Sequence, residues 1–444
     1  MKIFLSLVFV LLSSAGLFGQ NRDRAKELIH SLNGLVFSGK IDQAVKNTIE
    51  LEKISPPLLD YPFNNDFFPL LNDENRQKEP DKSACCLEYF RQLYQAGNPN
   101  IRSIIWPVIQ WGDICEAENS TDKTNLVHAF IEQLPPDSLE WRIADTYSLL
   151  IMKGLDNSQM GQTPVYHELL QRVQMHLLSG YQKKPDDNLI RYHLSYLWYY
   201  LSTKDPAGPG VFLKKASDAS PDNSSTSFYY VTSMLDPSLQ RKGFRTEYYD
   251  YLIGLGKIAE ALPVMESITL QEATDVNLEM LRKLYQQTCP DKGNTFAEYW
   301  SQAVSSFCQN LPAHLVSKDD AEKNEFWAPM DKWTIIVIWG TWCKPCMQEL
   351  PKVQKLYVKN LQARDSMLHI TTWAYDQTLN VVSLFAEKKY TFPVDFMTES
   401  QIRQFGINPY KPVKILITPD GKYLKIPSGV NWEEYLENYM GIGV

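Results

Sequence analysis

Two cysteines separated by two residues, Cys343 and Cys346 in WGTWCKPCMQELP, are the residues of this chain best suited to chemistry. Thiols at this spacing can hold a metal, staple a fold or exchange electrons, and their surroundings decide which. A structural zinc site needs four ligands, from a second cysteine pair or from histidines at helical spacing. The seven histidines are scattered and there is no second Cys-x-x-Cys, so neither a metal nor any other cofactor is expected. The requirements of a redox pair are met. Cys343 follows the β-branched run TIIVIWG and opens a helical pattern, where unsatisfied N–H groups and the helix dipole stabilise a thiolate. Cys346 falls one turn later on the same face, within reach of a disulfide. Pro345 suits a first helical turn, where a missing N–H costs nothing, and Lys344 adds positive charge. A peroxidase is disfavoured, because Gly340, Thr341 and Trp342 do not supply the Pro-x-x-x-Thr-x-x-Cys pattern.

The elements that must position this pair are readable from periodicity. TIIVIWG is a buried strand, CKPCMQELPKVQKLYVKNLQ a helix, MLHITTW a strand and NVVSLFAEKKY a helix. VKILITPDGKYLKI reads as strand–turn–strand through Pro419-Asp420-Gly421, and WEEYLENYM closes the chain as a helix. Strands alternating with helices and ending in a hairpin predict an α/β sheet covered on both faces over 326–444.

Residues 20–311 follow a different grammar, with apolar residues at three- and four-residue spacing, and predict an all-α region. SGKIDQAV from Ser38 and LGKIAEAL from Leu255 echo each other. KPDDNLIRYHLSYLWYYL from Lys184 and SPDNSSTSFYYVTSML from Ser220 form a second echo, their prolines 36 residues apart. These echoes resemble tetratricopeptide-type helical hairpins, with an irregular helical domain as the alternative. A stacked array would offer a concave surface to partners; a bundle would not. The charged segment SKDDAEKNEF marks a linker, placed at 312–325. The N-terminus, MKIFLSLVFVLLSSAGLFGQ, has a positive residue, an apolar run and small residues before polar sequence, the layout of a secretory signal peptide over 1–19. No later stretch reads as a membrane span. The expected mature protein is therefore exported, to the periplasm or beyond the cell.

In that setting disulfides persist, so the odd count of seven cysteines matters: at least one is unpaired or pairs only transiently. Cys85 and Cys86 are adjacent, leaving independent burial or a bridge from one of them to Cys115. Cys289 and Cys308 can pair or lie buried as thiols. A net charge of −8 argues against nucleic acid or an anionic membrane surface as the main partner.

Over 326–444, the motif WGTWCKPCMQELP with Trp339, Trp342 and Pro351, and the later segment GINPYKPVKILITPDGK, resemble the thioredoxin superfamily. They are closest to the exported reductases of the TlpA and ResA type. The resemblance implies a thioredoxin-like fold and a cis peptide at Lys411–Pro412, where backbone groups bind an extended substrate. It also implies thiol–disulfide exchange with protein thiols or disulfides, sustained by an upstream thiol reductant. Cys343 would attack and Cys346 resolve. Trp342 and Lys411 would meet the substrate, and Pro412 would shape the site. Thioredoxins proper carry a buried Asp six residues before the first cysteine, where this chain has Val337. The TlpA and ResA group instead has a Glu three residues after the second cysteine, which here is Glu349, the expected proton handler. Lys411 is a second departure, at a position expected to be uncharged. The competing reading is a partner-binding helical scaffold with an incidental thioredoxin fold; the intact cysteine pair counts against it.

Overall fold

The structure, a computed structural model, describes residues 20–59, 62–71, 73–134, 142–205, 208–221, 234–235, 239–289, 295–310, 332–363, 366–376, 378–397 and 413–441. The chain forms two compact units, 1–251 and 252–444. The expected signal peptide, the linker at 312–325, and both Lys411 and Pro412 lie outside the described residues.

In the first unit all regular structure among the described residues is helical. Its longer helices are α1 (Gln20–Phe37), α2 (Ile41–Ile54), α3 (Pro80–Ala96), α4 (Pro99–Glu116), α5 (Ser120–Gln133), α6 (Arg142–Asn157), α7 (Pro164–Lys183), α8 (Asn188–Ser202) and α9 (Pro209–Ala219), followed by α10 (Leu239–Gly254), which runs past the unit boundary. The SGKI and LGKI echoes have one physical origin. Gly39 and Gly256 both take positive φ, +76° and +70°, closing the helix before them. Lys40 and Lys257 then donate their N–H groups back to Leu35 and Leu252, each at 2.9 Å, and a new helix starts. Only glycine enters this left-handed cap without strain. In the other echo, Asp187 caps α8 by accepting from the Leu189 and Ile190 N–H groups at 3.0 and 3.2 Å. Its counterpart after Pro221 lies outside the described residues.

This unit also buries charge. Asp145 on α6 lies 3.0 Å from His176 on α7 and 3.9 Å from His193 on α8. The Nε2 of His193 pairs with the Thr146 hydroxyl at 2.8 Å. Burial pushes the His193 pKa down, against the opposing pull of Asp145.

The second unit contains α11 (Ile258–Gln271), α12 (Asp275–Thr288), α13 (Phe296–Phe307), α14 (Lys344–Gln362), α15 (Thr378–Lys388) and α16 (Trp432–Tyr439). Its strands are β1 (Gln309–Asn310), β2 (Trp333–Trp339), β3 (Leu368–Ala374), β4 (Val394–Phe396), β5 (Val413–Ile417) and β6 (Lys422–Ile426). They form one mixed sheet in the order β1-β6-β5-β2-β3-β4. β2, β3 and β4 are parallel, while β5 and β6 run antiparallel as the hairpin predicts. Ile335 to Trp339 are all buried, which is why central strand β2 reads as a continuous apolar run.

Helices α11 to α13, grouped by periodicity with the preceding helical region, belong to the same compact unit as the sheet. The buried Trp300 donates its Nε1 proton to the Asn438 carbonyl at 2.7 Å. Asn438 in turn donates to the Ala273 carbonyl and the Asp275 carboxylate, both at 2.9 Å. The Tyr439 hydroxyl donates to Leu270 at 2.7 Å. Lys422, on β6, donates to the Ser305 carbonyl at 2.9 Å. Helical spacing shows which face a helix buries but not which partner it buries that face against, so these long-range contacts were not visible in the sequence.

Candidate active site

β2 ends at Trp339, and the chain turns through Gly340, Thr341 and Trp342 before α14 begins. Cys343 is the N-cap of that helix, and its Sγ accepts the Cys346 N–H at 3.3 Å. This sulfur takes the place of the oxygen of a usual capping side chain, at the positive end of a helix that runs on to Gln362. Cys343 and Cys346 are joined in a disulfide with Cα atoms 5.2 Å apart. In the disulfide both residues are buried, at 3% and 2% exposure. α14 continues through Pro351, whose missing N–H leaves the Met347 carbonyl without its helical donor.

The loop before Cys343 is anchored by residues that the motif does not contain. Asp376, just beyond β3, accepts the Thr341 N–H at 2.7 Å and also bonds the Thr341 hydroxyl. Asn380 donates to its other oxygen at 3.1 Å. Trp342 lies edge-on to Tyr375, with ring centroids 6.2 Å apart. Gly340 has no room for a side chain, since an added Cβ would sit 2.7 Å from the Trp342 indole.

Glu349 lies one turn beyond Cys346 on the same helix face. Its carboxylate accepts a hydrogen bond from the Lys414 ammonium at 2.6 Å. Lys414 is on β5, 1% exposed, and its Nζ also lies 5.4 Å from the centre of the Trp432 ring. Burial pushes its pKa down, while the Glu349 charge and hydrogen bond oppose that shift. Across the sheet Lys414 pairs directly with Val337.

Trp342, Cys343, Cys346 and Glu349 thus occupy one loop and one helix start. Lys411 and Pro412 lie outside the described residues. Cys85, Cys86, Cys115, Cys289 and Cys308 are thiols, so no bridge joins Cys85 or Cys86 to Cys115, or Cys289 to Cys308. Among the described residues no group of three or more His, Cys, Asp or Glu side chains is placed to hold a metal.

Comparison with known proteins supports the chemistry this geometry allows. The chain is 32% identical over 135 residues to the thiol-disulfide oxidoreductase ResA of Bacillus thuringiensis subsp. konkukian, covering 30% of this chain and 75% of that protein. The chain belongs to the ResA family of thiol-disulfide oxidoreductases. ResA of Geobacillus thermodenitrificans is 27% identical over 148 residues, covering 33% of this chain and 82% of its own. ResA of Bacillus subtilis is 27% identical over 134 residues, covering 30% and 73%. No protein-family model matches the chain. These matches cover about a third of the chain.

Sequence reasoning missed Lys414, Tyr375 and Asp376. Lys414 left a usable signal, a single charge in the otherwise apolar strand VKILI. A charge in a buried strand is costly unless paired, so it should have prompted a search for an acid. Asp376 left only a strand-terminal acid, which many loops have.

Proposed function

We propose that the chain is an exported reductase of protein disulfides that works through a Cys343–Cys346 dithiol. The observation that carries this reading is the Cys343 sulfur at the start of α14, accepting an N–H and closed into a disulfide with Cys346. A donor hydrogen bond and a helix N-terminus both favour thiolate over thiol, which is what an attacking cysteine needs. In the reduced enzyme the Cys343 thiolate attacks one sulfur of a substrate disulfide, and the other substrate sulfur leaves as a thiolate. Cys346 then gives its proton to Glu349 and attacks the Cys343 sulfur. The substrate sulfur held on Cys343 departs as a thiolate, the enzyme disulfide forms, and two electrons have passed to the substrate. An upstream dithiol protein restores the reduced state.

Trp342 would face the incoming chain, and the Lys411–Pro412 segment would supply backbone partners to it. Export rests on the signal-like N-terminus and fits the resemblance to exported reductases. Among the described residues no helix is long and apolar enough to cross a membrane. The helical unit would select partners.

The test is reduction of insulin by the full chain, followed by trapping on a Cys346→Ser variant. Catalytic precipitation of insulin, and mixed disulfides held on Cys343, are expected. An inert wild-type protein would reject the reading in favour of a helical scaffold.

A further inference from the structure

Thioredoxin-type chemistry needs an ionisable group behind the second cysteine, yet the strand position where thioredoxins proper carry an Asp is Val337 here. Directly across the sheet from Val337 stands Lys414. Residues paired across antiparallel strands put their side chains on the same face, with Cβ atoms about 5 Å apart. Lys414 therefore enters the space that a side chain at 337 would reach, from the opposite strand and with the opposite charge. Its ammonium is bonded to Glu349, the carboxylate one helical turn beyond Cys346.

We propose that Lys414 is a positioning residue of the resolving step: it fixes the Glu349 carboxylate beneath Cys346 and cancels its charge. Before it gives up its proton, Cys346 therefore faces a neutral pair rather than a bare carboxylate. This deepens the reading of the chain as a reductase and rests on it.

The surroundings leave the pair few rivals. Opposite Lys414 on the two neighbouring strands are Val337 and Ile426, neither of which titrates. From α14 come Glu349 and Lys352, the latter a weaker influence that opposes charge on Lys414. From α16 comes the Trp432 ring, and Glu433 there pairs with Lys352 at 3.6 Å. Lys425 is on β6 next to Ile426, so it points to the other face of the sheet. A solvated lysine would make only a screened and negligible contact. Lys414 is as deeply buried as the disulfide.

The physics predicts a pattern of signs that a packing role cannot imitate. Removing the ammonium raises the Cys346 pKa, because a thiolate loses a nearby cation. Removing the carboxylate while the ammonium remains lowers it. Removing both returns it toward the wild-type value.

The experiment uses the full-length protein carrying Cys343→Ser, so that Cys346 is the remaining active-site thiol. Its alkylation is followed by peptide mass spectrometry across a pH series, alone and combined with Lys414→Met, Glu349→Gln, or both. We expect Lys414→Met to raise the apparent Cys346 pKa by about one unit, a tenfold loss of thiolate below it. Glu349→Gln should lower it, and the double variant should fall between. If Lys414→Met does not fold, the Glu349→Gln protein and the double variant still isolate the ammonium, because neither contains an unpaired carboxylate. A Cys346 profile that does not change on removing Lys414, in either background, overturns the proposal. Activity of the wild-type protein, with both cysteines in place, on insulin separates this failure from failure of the reductase reading: an active wild type with unmoved profiles rejects the role of Lys414 alone.

Discussion

Cys86 in the helical unit and Cys343 in the sheet unit are both buried, yet their sulfurs meet opposite ends of the peptide group. Cys86 lies mid-helix on α3 and points its sulfur at the Phe67 carbonyl, 3.7 Å away. That partner needs an S–H, and burial, reinforced by Cys85, pushes the thiol pKa far up. Cys343 caps a helix and accepts an N–H, a partner that favours a bare sulfur. The lesson is that burial alone does not make a cysteine inert. What matters is whether the sulfur faces a donor or an acceptor.

The two units differ in the same way over buried charge. His176, Asp145 and His193 link three helices with no reactive group among them. Glu349 and Lys414 sit one turn from a redox sulfur.

The largest expected effect breaks the first contrast outright. Cys343→Ser should abolish insulin reduction, whereas Cys86→Ala should leave turnover unchanged and cost only stability, about 1 kcal/mol. Equal loss in both variants would dissolve the distinction. Next is the cost of opening the Lys414–Glu349 pair, whose lysine is buried and whose carboxylate is partly exposed. Lys414→Met alone should destabilise the full-length protein by about 1–3 kcal/mol in urea unfolding, since the carboxylate left behind is partly exposed, and adding Glu349→Gln should recover much of that. If the double variant is no more stable than the single, the charge of Glu349 is not what Lys414 offsets.

Alkylation of the reduced wild type at pH 7 sharpens the comparison of sulfurs. A cysteine at such a helix start has a pKa of about 3.5 to 7.5, so Cys343 should react at least about a hundredfold faster than Cys86. Comparable rates would mean that the helix start does not activate it. The smallest effect belongs to the helical unit. The folded pKa of His193 is lowered, so the unfolded chain binds the extra proton first, and stability falls as pH drops through about 6.5. The slope should be at most about 1.4 kcal/mol per pH unit, and His193→Gln should flatten it. An unaltered slope would assign the acid sensitivity elsewhere.

The redox motif, strand β2, helix α14 and the β5–β6 hairpin were legible because each is local: an apolar run, a cap, a Pro-Asp-Gly turn. The glycine echoes were visible as a repeated pattern for the same reason, each being a local left-handed cap. Lys414 was not, because its meaning depends on Glu349, which approaches it from another element. Nor was the association of α11 to α13 with the sheet unit, which rests on hydrogen bonds such as Trp300 to Asn438. Local patterns specify elements, while pairing between distant elements is decided by shape and by which polar groups find partners.

The sheet's outer strands carry a consequence of their own. Among the described residues β1 contributes two residues and β4 three, and they stand at the two ends of the strand order. A long open edge invites a second chain to add a strand and begin a fibril, and natural sheets guard against this with very short edge strands. A reductase of protein disulfides, as proposed above, would meet such extended segments repeatedly. Truncated margins of this kind give those segments little to polymerise upon.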